Sequence, residues 1–165
     1  MPLPSSRHQV KSAPTLPRAL ANQVRPRARP AHRTRPLVLL IDDDRAVLES
    51  LRRVFAQDGL HVTTANSGEQ ALGLLETLQP DLVVTDLCMG AVSGWDLVFH
   101  HHLHEAGLPF IVITALSLRD AGGVEKIAAG FFQKPLSLEA LLAVIHARLA
   151  ASESSAPENE KPKST

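Results

Sequence analysis

DLVVTDLCMGAVSG, residues 81–94, is the stretch on which the reading of the whole chain turns. Leu82, Val83, Val84 and Thr85 make a short apolar, β-branched run of the kind that forms a strand buried on both faces. The run stops at a carboxylate, Asp86, and Gly90, Ser93 and Gly94 then form a loop leading into a helical pattern from Trp95. An acid at the carboxyl end of a buried parallel strand stands where open α/β sheets place their ligand chemistry. Taken alone, the segment favours a plainer reading, in which Asp86 caps a helix or solvates a loop. Its company elsewhere in the chain decides the matter.

Upstream, LVLLI (37–41) is a second continuous apolar run, ending in Asp42, Asp43 and Asp44. Val47, Leu48, Leu51, Val54 and Phe55 then recur at helical spacing, and Gly59 offers a left-handed stop. His61 to Ala65 is a less apolar strand, suited to a sheet edge. Ser67 with Gln70 is a capping-box arrangement that opens a helix to about Leu78, closed by Pro80. Downstream, a helix is expected from Trp95 to Ala106, ended by Gly107, and Pro109 introduces the strand FIVIT (110–114). A fourth helical region around Ser117 to Ala129 contains Gly122 and Gly123, each costing about 1 kcal/mol against Ala, and is expected to be the loosest element. A short strand, Phe131 to Gln133, runs into Lys134-Pro135. Ser137 then caps a final helix with Leu138, Leu141, Leu142, Ile145 and Leu149 on one stripe.

Five alternations of strand and helix predict an α/β, doubly wound fold: a parallel sheet of five strands with helices on both faces and right-handed crossovers. All carboxyl ends then share one rim, which gathers Asp42, Asp43, Asp86, Thr114 and Lys134.

The 165 residues, 44% hydrophobic and 21% charged, suffice for one domain. The zero net charge conceals an asymmetry. Residues 1–36 hold eight Lys or Arg and no acid, so subtraction from the totals leaves nine bases against seventeen acids in the remainder. The leader, 1–36, is rich in Pro and Arg and is expected to be disordered. Its Arg25, Arg27, Arg29, Arg33 and Arg35 suit phosphates or an acidic surface, but no aromatic residue is interleaved, so nucleic acid is a minor option. From Ser152 a polar tail has nothing to bury. A single cysteine, Cys88, excludes an internal disulfide and points to a reducing, cytoplasmic setting. No apolar run reaches the roughly 20 residues of a membrane span.

Carboxylates crowded at one rim repel one another, by about 4 kcal/mol for a pair 4 Å apart at an effective dielectric near 20. Either one is protonated or a cation sits among them. All-oxygen donors with room for water suit Mg2+ better than Ca2+. Thr114 and Lys134 supply a hydroxyl and a positive charge for phosphoryl oxygens. The set reads as phosphoryl transfer to a carboxylate, with Asp86 as nucleophile.

LLIDDD (39–44), VVTDLCMGAVSG (83–94), VITA (112–115) and FFQKP (131–135), in this order, closely resemble the receiver domain of two-component response regulators over about residues 37–151. The resemblance implies a flavodoxin-like (βα)5 sheet in order 2-1-3-4-5, with the site at the switch point between strands one and three. It implies that Asp86 accepts phosphate from a phosphohistidine on a sensor histidine kinase, or exchanges it with a histidine phosphotransfer protein. It also implies that Asp42, Asp43, Asp86 and the backbone carbonyl of Cys88 hold Mg2+, directly or through water. Thr114 and Lys134 would bind the phosphoryl oxygens, and Lys134-Pro135 would be a cis peptide. Output would pass through the face of helices four and five and the last strand.

Several positions depart from the family pattern or stand outside it. Gly90 replaces the usual Pro. Phe131 is either the switch aromatic, lacking a hydroxyl, or an ordinary packed Phe. Cys88 and Leu116 stand where polar side chains orient an attacking water in this family, so a long-lived phosphoaspartate is expected. His100, His101, His102 and His104, with Glu105, are read as a solvated helix face with His101 partly buried rather than a metal site. Asp42 and Asp44 imitate a haloacid-dehalogenase phosphatase, but that chemistry needs a later acidic pair, and the body offers only Glu139 after Lys134. A receiver-like interaction module that is no longer phosphorylated is the remaining alternative.

Overall fold

The computed structural model describes residues 33–104 and 107–154. The expected disorder of residues 1–32 and 155–165, and the end of the third helix at Ala106, lie outside them. Five strands, β1 (Leu37–Ile41), β2 (His61–Ala65), β3 (Leu82–Thr85), β4 (Phe110–Thr114) and β5 (Gly130–Gln133), form one sheet in the order β2-β1-β3-β4-β5, every neighbouring pair parallel. The helices are α1 (Arg45–Gln57), α2 (Gly68–Leu78), α3 (Gly94–His104) and α4 (Leu138–Ser154). This is the predicted architecture, with β2 at an edge.

The strands read as continuous apolar runs because both faces are covered. Leu39, Ile41, Val83 and Val112 point into one core layer, with Ala71 and Leu75 of α2 and Leu97 and Val98 of α3. The alternate residues Val38, Leu40, Val84 and Ile113 enter the other, with Leu51 and Phe55 of α1 and Leu141 and Ile145 of α4. The period of two in each strand therefore supplies both layers.

The helix ends follow from local chemistry. Asp44 caps α1, its side chain accepting from the amides of Ala46 (2.8 Å) and Val47 (3.3 Å). Gly59 (φ 87°) lets the chain turn back, and the amide of Leu60 donates to Phe55 O at 3.1 Å. Ser67 Oγ accepts from Gln70 N, while Gln70 Oε1 accepts from Asn66 N, one residue earlier than a standard capping box.

The fourth helical region is the main correction. Between β4 and β5 the described chain forms turns and one 3-10 turn, Val124–Lys126, and no α-helix. Gly122 (φ 52°) and Gly123 (φ 94°) both lie in the left-handed region, which a right-handed helix cannot contain. The described residues accordingly form four α-helices rather than five, and the face expected from helices four and five consists of the 3-10 turn, β5 and α4. At the carboxyl end α4 continues to Ser154, beyond the expected limit at 151. At the amino end, Arg33 belongs to the folded body: its guanidinium donates to the carbonyls of Leu78 and Gln79 at 3.0 Å, capping α2, and lies 3.6 Å from Asp81.

Candidate functional site

Register alone brings the acids together. Ile41 pairs with Thr85 across β1 and β3, so the next residues, Asp42 and Asp86, leave the sheet side by side. Asp86 N donates to Ile41 O at 3.0 Å and Asp42 N to Ala65 O at 3.2 Å, so both backbones are still anchored where their side chains begin. At the far side, Lys134 N donates to Thr114 O at 2.7 Å, which extends the β4–β5 ladder to the lysine. The peptide Lys134-Pro135 is cis.

Lys134 Nζ donates to Asp42 Oδ2 and to Asp86 Oδ2, 2.8 Å each. The remaining oxygens are also held: Asp42 Oδ1 accepts from Asp44 N (2.9 Å) and Asp86 Oδ1 from Cys88 N (2.9 Å). Asp42 and Asp86 are only 4% and 7% exposed, so the carboxylates are rigid, nearly dry and aimed at one positive charge. Burial disfavours the charge on Lys134, but the hydrogen bonds and charges of Asp42 and Asp86 together outweigh it, and its pKa lies above the ordinary 10.5.

Thr114 is fully buried at the end of β4. Its Oγ1 accepts from Leu116 N at 3.2 Å and lies 4.0 Å from Cys88 Sγ. It therefore flanks Asp86 through the Cys88 loop rather than by direct contact. Asp43 is at the same rim but faces solvent. Phe131 is half-buried against the α2–α3 core layer.

Two supports of the acceptor were not anticipated. Thr85 Oγ1 donates to Asp86 O at 2.8 Å. Gly94 starts α3 so close to that carbonyl that an added Cβ would lie 1.8 Å from Asp86 O. The Ser93-Gly94 loop signal could have flagged a close approach, though not its partner.

The donor set fits a hard divalent cation. Two carboxylates already share one cation, both offer hard oxygen donors, and Mg2+ binds few protein ligands and retains water. The third carboxylate, Asp43, is not drawn in; no three His, Cys, Asp or Glu among the described residues converge as a metal group. The histidines of α3 diverge: His101 is buried, its ring 5.4 Å from Phe110, whereas His100 and His102 are exposed. The side chain of His104 and all of Glu105 lie outside the described residues.

The chain is thus a doubly wound sheet with paired acids and a lysine at its switch point. The response regulator receiver domain model matches residues 38–146, and the chain belongs to that family. Response regulator MprA of Mycolicibacterium vanbaalenii is 39% identical over 115 residues, covering 68% of this chain and 49% of that protein. The chain thus spans about half the length of the curated relatives it matches. The receiver domain of Francisella response regulator 1452 superposes with a TM-score of 0.67 at 26% identity, covering 71% of this chain and 98% of that one. TrrA of Thermotoga maritima, solved in complex with Mg2+ and BeF, shares the fold at 23% identity and a TM-score of 0.64, covering 68% of this chain and 98% of its own. Among the described residues no helix is long and apolar enough to cross a membrane.

Proposed function

We propose that Asp86 is the phosphoacceptor of a cytoplasmic two-component or phosphorelay pathway, taking a phosphoryl group from a phosphohistidine of a sensor kinase or a histidine phosphotransfer protein. The observation that carries this is the pair of buried carboxylates, Asp42 and Asp86, each 2.8 Å from the ammonium of Lys134.

An oxygen of Asp86 forms the new P–O bond as the P–N bond to the donor imidazole breaks, the electron pair leaving on the ring nitrogen. Cys88 N and Lys134 Nζ orient the attacking carboxylate. Lys134 shifts from bridging two acids to neutralising the phosphoryl oxygens, and the Thr114 hydroxyl, whose proton is free to rotate, donates to one of them. Asp42, Asp43, Asp86 and the Cys88 carbonyl would hold Mg2+, directly or through water, and the ion would supply further positive charge. TrrA, a response regulator of this fold, was solved in complex with Mg2+ and BeF, which supports the reading. The drawn-in Thr114 and Lys134 alter the 3-10 turn, β5 and α4, the face offered to a downstream protein, with Phe131 as its aromatic.

Calorimetric titration with beryllofluoride and Mg2+ tests the reading. Wild type is expected to bind with one-to-one stoichiometry and Asp86→Asn to give no heat. Equal binding by both would remove Asp86 from the role.

A further inference from the structure

On the flank of the domain, remote from the Thr114 and Lys134 side of the rim, a groove runs between α1 and β2. Its lower part is a cavity of about 660 Å3 lined by Arg33, Arg35, Arg52, Leu60, His61 and Val62. Its upper part, about 240 Å3, is lined by Arg45, Leu48, Glu49, Arg52, Thr64 and Asn66, so Arg52 is common to both. Arg45 and Arg52 are seven residues apart, two helical turns along one face. The acids nearby are already engaged. Hydrogen bonds from Arg52 and Arg53 hold the Glu49 carboxyl at about 2, and Asp81 accepts from Leu37 N beside Arg33. Arg35 and Arg45 are exposed and have no ion pair among the described residues. Arg35 and Arg45 therefore bring uncompensated positive charge to the groove.

Its second property is an open strand edge. Among the described residues β2 pairs only with β1. His61 N donates to Pro36 O and Ala65 O accepts from Asp42 N, so the odd-numbered residues of β2 face β1. In a parallel ladder the alternate residues, Val62 and Thr64, then turn their amides and carbonyls outward, into the groove.

We infer that this groove docks an extended, acidic segment of a partner protein, added as a sixth strand alongside β2. Backbone pairing to Val62 and Thr64 fixes the segment, its inward side chains pack beside Val62, and its acidic residues meet Arg35 and Arg45. A single-stranded nucleic acid would rely mainly on the arginines, since no Phe, Tyr or Trp lines either cavity for base stacking. The inference is independent of phosphorylation at Asp86.

Fluorescence anisotropy with the full chain and a fluorescein-labelled decapeptide of alternating glutamate and valine tests it. Saturable binding is expected, weakened at least about tenfold by Arg35→Glu and again by Thr64→Pro. Proline at an outward-facing edge position removes a pairing donor without touching the β1–β2 ladder, and circular dichroism checks that the variant is folded. Should that variant unfold, Arg35→Glu and a lysine–valine decapeptide, expected not to bind, still decide the charge requirement. Binding unaffected by Arg35→Glu overturns the proposal. So does a labelled oligothymidylate that binds where the acidic peptide does not, or dimerisation through β2 without peptide binding.

Discussion

Lys134 carries more of the site than any other single residue. Replacing it by Met leaves Asp42 and Asp86 confronting each other in a nearly dry setting, with an expected loss of about 1–3 kcal/mol of stability. Its pKa is raised on folding, so the ion pairs stabilise the domain fully below the ordinary value of 10.5, and that contribution disappears as pH rises through the higher folded value. Thermal melts of wild type and Lys134→Met between neutral pH and pH above 10.5 should converge at the alkaline end; a constant gap would show that the lysine acts through packing alone. Around the acceptor, Cys88 and Leu116 offer an attacking water little to hold. Phosphoaspartate, followed after removal of the donor, should therefore decay over minutes or longer, and a half-life of seconds would contradict this.

At the scale of elements, the segment between β4 and β5 is held by turns and a single 3-10 turn, and Trp95 lies over it, 2.9 Å from where a Gly122 Cβ would stand. Hydrogen exchange should find residues 117–129 the least protected of the folded body. Gly94→Ala should be among the most damaging single changes, costing more than about 3 kcal/mol in chemical denaturation, because its methyl would overlap Asp86 O. The same elements show what a sequence discloses. Each buried strand is an unbroken apolar run that stops at a charge or hydroxyl, so the strands and the shared rim were legible, whereas their order came only with the resemblance to the receiver family. The fourth helix was not: Ala121, Val124 and Ala128 keep helical spacing, yet the positive φ of Gly122 and Gly123 turns the chain away, and spacing cannot reveal the sign of φ. Nor could the triplet Asp42, Asp43, Asp44 announce its division of labour. Asp42 turns inward to Lys134, Asp43 outward to solvent, and Asp44 is taken up as the cap of α1.

At the scale of the whole molecule, helices cover both faces of the sheet, which leaves the rim and the flank to carry the polar chemistry of the described residues. The rim presents a carboxylate that is fixed from both oxygens and only slightly exposed, an arrangement that favours a small transferred group over a bulky substrate. Incubation of the full chain with acetyl phosphate and Mg2+, followed by intact mass spectrometry, tests this most directly. Wild type should gain about 80 Da, one phosphoryl group, and Asp86→Ala should gain nothing. An unmodified wild type, or the same gain in both proteins, would contradict the account.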